Sequence, residues 1–163
     1  MTSAQTVVPD FDAEMATTRR LLERVPGEQG AWKPHQRSFS LGHLAQLVAR
    51  MPGWLTLTLR ESRLDVGAFA EYSLETTETL LAEFDRNVAE ARRALAAATA
   101  EDWGAPWSLV AGERALYTAP RSAVVRSHLN HLVHHRGQLS VYLRLLDVPL
   151  PPIYGPTADE RGM

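Results

Sequence analysis

Residues Val124 to Leu146 read VVRSHLNHLVHHRGQLSVYLRLL, and this stretch holds four of the six histidines of the 163-residue chain. Wound as an α-helix, it carries a seam that steps alternately by four and three residues: Val124, His128, His131, His135, Leu139, Tyr142 and Leu146. Three imidazoles thus occupy positions where a bundle helix normally carries Leu or Val. At about 100° per residue, His131 and His135 lie one turn apart and within about 40° of each other, whereas His134 points about 80 to 100° away from the seam. A buried polar ring without a partner costs on the order of 1–3 kcal/mol, so several on one seam require a shared partner. A metal ion on the i, i+4 pair is one solution, and a hydrogen-bonded core is the other.

Outward from this helix the chain shows three more amphipathic segments. Residues 1 to 8 read as a loose leader, and Pro9-Asp10 opens a first helix with Asp10 as its N-cap. Its period runs through Phe11, Met15, Thr18, Leu22 and Val25 until Pro26-Gly27 stops it. After a long loop containing Trp32, capped at Ser38 or Ser40, a second helix spans Leu41 to Arg60, with Leu41, Leu44, Val48, Met51 and Leu55 on one face. Pro52 inside it removes a backbone hydrogen bond and predicts a kink or interruption near Ala49. His43 lies about 100° from the centre of the apolar face. A polar link from Arg60 to Glu71 leads to Ser73, the expected cap of a third helix whose seam is Thr77, Leu80 or Leu81, Phe84, Val88, Ala91, Leu95 and Ala98. The segment EDWGAPWSLVAGERALYTAPRS, Glu101 to Ser122, reads as a small hairpin or an irregular lid. Ser122 is the expected cap of the histidine helix, Pro149 its stop, and the Pro-rich tail beyond is expected to be extended, with Tyr154, Asp159 and Glu160 either on the surface or folded over the histidine end of the bundle. Four such helices in one domain spanning residues 1–163 predict an all-α four-helix bundle, with the hairpin or lid between the third and fourth.

Composition narrows the function. Net charge is −2 and the basic residues are scattered, so neither nucleic acid nor an anionic membrane is an expected partner. There is no cysteine, which excludes disulfides, Cys-ligated zinc and a Cys nucleophile. No apolar run has the length of a signal peptide or of a membrane span, and a cytoplasmic protein is the expectation.

The segment NHLVHHRGQLSVYLRLLDVPLPPIYGPTADE, Asn130 to Glu160, resembles the signature of the DinB-like superfamily of metal-binding four-helix bundles. DFDAEMATTRRLLERVP and WKPHQRSFSLGHLAQLVARMPGW, between Asp10 and Trp54, resemble the opening of the same family. The resemblance implies three histidines, one on the second helix and an HxxxH pair on the fourth, holding a divalent metal, commonly zinc or nickel. It also implies a homodimer and, for several members, a thiol-dependent transferase that joins bacillithiol, mycothiol or glutathione to a small electrophile. Carried over by position, the pair falls on His131 and His135. The second-helix ligand is implied at the fifth residue after Gly42, which here is Leu47, while His43 stands one turn earlier. The third ligand is therefore His43, or His128 on the fourth helix, or lost. One turn is about 5.4 Å along the axis, well outside the tolerance of a metal–nitrogen bond of about 2.0–2.1 Å, and three consecutive turns of one straight helix converge poorly on one ion.

An intact site would leave the ion its full charge and an open position, so that a bound water or an external thiol becomes an anion at neutral pH, as a related hydrolase or a thiol S-transferase would use it. Asn130, Arg136 and Gln138 flank the histidines and could orient them, or serve as ordinary interhelical or solvated groups. The competing reading is a non-catalytic dimeric bundle with a degenerate, structural or sensory metal site.

Overall fold

The computed structural model describes residues 4–68, 72 and 76–161. Its elements are, in chain order, α1 (Ala4–Leu22), α2 (Leu41–Arg60), β1 (Arg63–Asp65), α3 (Thr77–Ala97), α4 (Ala100–Gly104), β2 (Pro106–Ala111), β3 (Arg114–Pro120) and α5 (Arg121–Leu145). Among the four long helices, α2 packs on α3 and α5, and α1 packs on the same two. Their shared core is built from Phe11, Leu21 and Leu22 of α1, Leu44, Val48 and Leu55 of α2, Phe84 and Leu95 of α3, and Leu132, Leu139 and Leu143 of α5, all buried. Burying a side chain of this size contributes about 1.5–3 kcal/mol, which is what fixes the helix faces.

The all-α expectation needs correction: the fold is mostly helical but carries a three-stranded sheet in the order β1-β2-β3. The hairpin expected between the third and fourth helices is there as β2 and β3, and its two-residue loop places Gly112 at φ +59°. Positive φ at the first loop position followed by an ordinary residue is the pattern of a type II′ turn, which suits the twist of paired strands. The third strand came from the segment read as a polar link. β1 pairs in parallel with β2, Arg63 opposite Ser108 and Leu64 opposite Leu109. Three residues are too few to display a period of two, so this strand is defined by its partner and not by its own pattern.

Helix ends also moved. α1 begins at Ala4 and runs through Pro9, so Asp10 is an interior residue and not a cap. The carbonyl that Pro9 leaves without a donor belongs to the exposed Gln5 in the first turn, where water can serve it. Ser40 caps α2, its hydroxyl accepting from the His43 amide at 3.2 Å. Ser73 lies outside the described residues; the cap of α3 is Thr76, in a reciprocal capping box with Thr79. Ser122 is inside α5, whose N-cap position is Pro120 without a side-chain bond, while the Arg121 amide donates to Ala105 at 2.9 Å. α5 closes with the Val148 amide on the Leu143 carbonyl and the Asp147 amide on that of Arg144, with Asp147 at φ 56°. This is a Schellman ending, and Pro149 follows it.

α2 continues through Pro52 without interruption. Pro52 has no N–H for the Val48 carbonyl four residues back, and Asn87 of α3 donates its side-chain N–H to the next carbonyl, that of Ala49, at 3.0 Å.

Candidate functional site

The seam expected along the histidine helix is rotated. α5 buries Val124, Val125, Leu132, His135, Arg136, Leu139 and Leu143, a stripe that keeps Val124, His135 and Leu139 of the predicted seam and is centred about 50° round from it. The imidazoles consequently lie on the flank of the core. His135 is buried, His128 is half-buried and His131 is exposed at the surface. His134 projects to solvent with its ring edge on His135.

His131 and His135 converge as their spacing predicts, with their Nε2 atoms 2.9 Å apart. On the other side of its ring, His135 Nδ1 lies 2.7 Å from Oε1 of Gln138, three residues on. In the tautomer that satisfies both contacts, His135 Nδ1–H donates to Gln138 and His135 Nε2 accepts from His131. An amide oxygen held against the far ring nitrogen is the arrangement that orients a histidine for ligation or proton transfer. Burial pushes both imidazoles below the usual histidine range, His135 being partly restored by Gln138, so the pair is neutral at pH 7.

The two contenders for a third donor are placed otherwise. The His43 ring is sandwiched between Phe39, centroids 4.2 Å apart, and Tyr72, 4.1 Å apart. Burial lowers its pKa first, then Lys33 and Arg50, with His135 a further contributor. His128 packs edge-on against Trp54 and Trp107, and its Nε2 is buried without a hydrogen-bond partner. Desolvation, followed by the charge of His131, lowers its pKa to about 4. Leu47, where the resemblance implies a histidine, is a core residue only 6% exposed. Among the described residues no three His, Cys, Asp or Glu side chains are gathered as a metal would require. The donor set fits two positions of a cation site and does not fit the implied three-histidine site.

The flanking residues divide in the same way. Gln138 orients His135, and Asn130 is exposed. Arg136 turns away from the histidines: 1% exposed, it forms an ion pair with Glu14 at 2.6 Å and donates to the Tyr154 hydroxyl at 2.7 Å. The tail, expected to be extended, folds back onto α1 and α5. Tyr154 donates to Glu14, Asp159 pairs with Arg144, and Glu160 pairs with Arg24. Sequence reasoning did not connect Trp54 and Trp107 with the histidines, although the helical period does place Trp54 on the flank of α2.

Comparison with known proteins agrees with the architecture. The model of the DinB family matches residues 1–162. A DinB-like protein from Bacillus subtilis superposes with a TM-score of 0.73 at 19% identity, covering 91% of this chain and 97% of that one. A DinB-like protein from Bacillus cereus gives 0.65 at 19% identity, covering 90% and 94%. No curated protein matches. The chain belongs to the DinB family.

Proposed function

We propose that this DinB-family chain transfers a low-molecular-weight thiol, of the bacillithiol, mycothiol or glutathione type, to a small electrophile, with His131 and His135 at the reacting centre. The observation that supports this reading is the 2.9 Å approach of the two Nε2 atoms with the far nitrogen of His135 held by Gln138. Two neutral imidazoles so related form a proton acceptor with a second ring available to share the proton. The thiol gives its proton to Nδ1 of His131, the ring nitrogen that these two bonds leave unprotonated, its sulfur forms the new bond to the electrophilic carbon, and the leaving group departs with the electron pair of the bond it loses. The chain has no cysteine, so the sulfur comes from the co-substrate. A zinc or nickel ion held by the pair would favour the thiolate by its charge; with two donors in place of three, no step is assigned to it.

Leu47 favours a second reading, in which the chain is a non-catalytic dimeric bundle that keeps a degenerate or sensory cation site. One set of measurements separates the two: conjugation of each thiol to 1-chloro-2,4-dinitrobenzene, with zinc and nickel content by elemental mass spectrometry. The transferase reading expects turnover that drops about 100-fold or more in both His131→Ala and His135→Ala. Absence of turnover with all three thiols, together with metal that is lost in the same variants, sinks it in favour of the second. Leu47→His supplies the third donor, and zinc affinity is expected to rise at least about tenfold.

A further inference from the structure

A cavity of about 300 Å³ opens beside the pair, between α5 and the sheet. One wall is a helix stripe, Val124, Ser127, His128 and His131, at the i, i+3, i+4, i+7 spacing that lines up on one face. The facing wall is a row that crosses the whole sheet: Leu64 of β1 opposite Leu109 of β2, and Leu109 opposite Tyr117 of β3. Residues in register on neighbouring strands point to the same side, so the three side chains form a continuous apolar surface. Trp107, 3% exposed, lies deep and Trp54 of α2 adds an aromatic ring to the lining. The rim is open where Ser127, His131 and Tyr117 are exposed.

Two ring nitrogens belonging to this lining are buried with no partner, Nε1 of Trp107 and Nε2 of His128. Their rings are perpendicular, with centroids 6.2 Å apart. Buried polar groups are nearly always satisfied, and here two nitrogens without a partner among the described residues sit on neighbouring rings that both line one cavity. The indole N–H can only donate, whereas the imidazole nitrogen accepts or donates according to its tautomer. A hydroxyl on an aromatic ring answers both, accepting from Trp107 and donating to His128. Among the described residues no Asp, Glu, Lys or Arg lines the cavity, so a charged guest would find no counter-ion from them.

We propose that this cavity binds a neutral, planar aromatic molecule of about ten to fifteen non-hydrogen atoms bearing one hydroxyl, its ring between the α5 stripe and the sheet row and its hydroxyl at Trp107 and His128. The size follows from the volume, about twice that of an apolar cavity of ~150 Å³ that takes a benzene-sized guest. The further step, that such a molecule is the electrophile or its precursor, rests on the proposed transferase reading; the binding does not.

The test is a titration of uniformly nitrogen-15-labelled protein with 1-naphthol, followed by the indole N–H signals of the four tryptophans. Saturable shifts of the Trp107 and Trp54 signals, with that of Trp32 unmoved, are expected. Naphthalene should bind about tenfold more weakly for want of the hydroxyl, and 1-naphthalenesulfonate should not bind. Ser127→Trp, at an exposed helix position on the rim, should abolish the shifts without disturbing the fold. His135→Ala should bind 1-naphthol as the unaltered protein does, which separates this site from the fate of the transferase reading. Unmoved Trp107 and Trp54 signals, shifts that survive Ser127→Trp, or naphthalene binding as tightly as 1-naphthol would overturn the proposal.

Discussion

Arg136 is the most deeply buried charge of the described residues, and its surroundings set what its removal does. It sits against Glu14, the Thr18 hydroxyl at 3.2 Å and Tyr154, so Arg136→Met leaves the Glu14 carboxylate without its counter-charge. Breaking one side of a buried pair costs about 3–5 kcal/mol, whereas removing both charges is far milder. Urea denaturation should therefore find Arg136→Met strongly destabilised and Glu14→Gln with Arg136→Met less so than the sum of the single changes. His128 gives a prediction of a different kind. Its pKa is about 4 in the fold against 6.5 unfolded, so below 6.5 the unfolded chain takes up the proton first. Stability should fall as pH drops from 6.5 towards 4, by up to about 3 kcal/mol from this residue. His131, His135 and His43 add in the same direction, their pKa values being lowered as well. Denaturation at pH 7.5 and pH 5 should show His128→Phe losing less stability than the unaltered chain. Of these residues the histidine pair was legible in the sequence, because four positions on a helix fix proximity whatever surrounds it. The task of Arg136 was not, since Glu14 stands 122 residues away and nothing local announces it.

At the level of elements, α2 and α3 are coupled beside the proline of α2. Asn87 donates to the Ala49 carbonyl, and Gly53 leaves room for it: a Cβ there would lie 3.3 Å from the Asn87 side-chain oxygen. Asn87→Ala should cost about 0.5–1.5 kcal/mol, the net contribution of one hydrogen bond. Gly53→Ala should cost more in the native background than alongside Asn87→Ala, where the crowding is gone. A thermodynamic cycle on the four proteins measures that coupling. The bounds of α2 were readable to the residue, since Ser40 and the apolar period agree. α1 was not, because a proline is equally at home opening a helix and in its first turns. β1 escaped for a different reason: its order is borrowed from β2, 45 residues away in the pairing of Leu64 with Leu109.

On the scale of the whole molecule, the tail is part of the frame. Pro151 is buried, Thr157 donates to the Leu150 carbonyl at 2.8 Å, and Tyr154 closes over Arg136. Ending the chain after Pro149 should cost about 3 kcal/mol or more and lower Tm by roughly 6–12 °C, as differential scanning calorimetry would record. The helical architecture was legible because four amphipathic periods have few ways to bury their faces, and the cavity was not, because it exists only where a helix stripe meets a row drawn from three strands. The clamp between Glu14, Arg136 and Tyr154 also places the molecule in time. Glu14 and Tyr154 are 140 residues apart. At about 5–20 residues per second, a ribosome needs roughly 7–28 s to make the second after the first. For the last 18 residues of that interval, about 1–4 s, Arg136 has been made without the phenol that covers it, and throughout it the first helix lacks this fastening. The fold is thus locked by a segment synthesised after its long helices, and a nascent chain stalled short of residue 154 would be the form most open to proteases and chaperones.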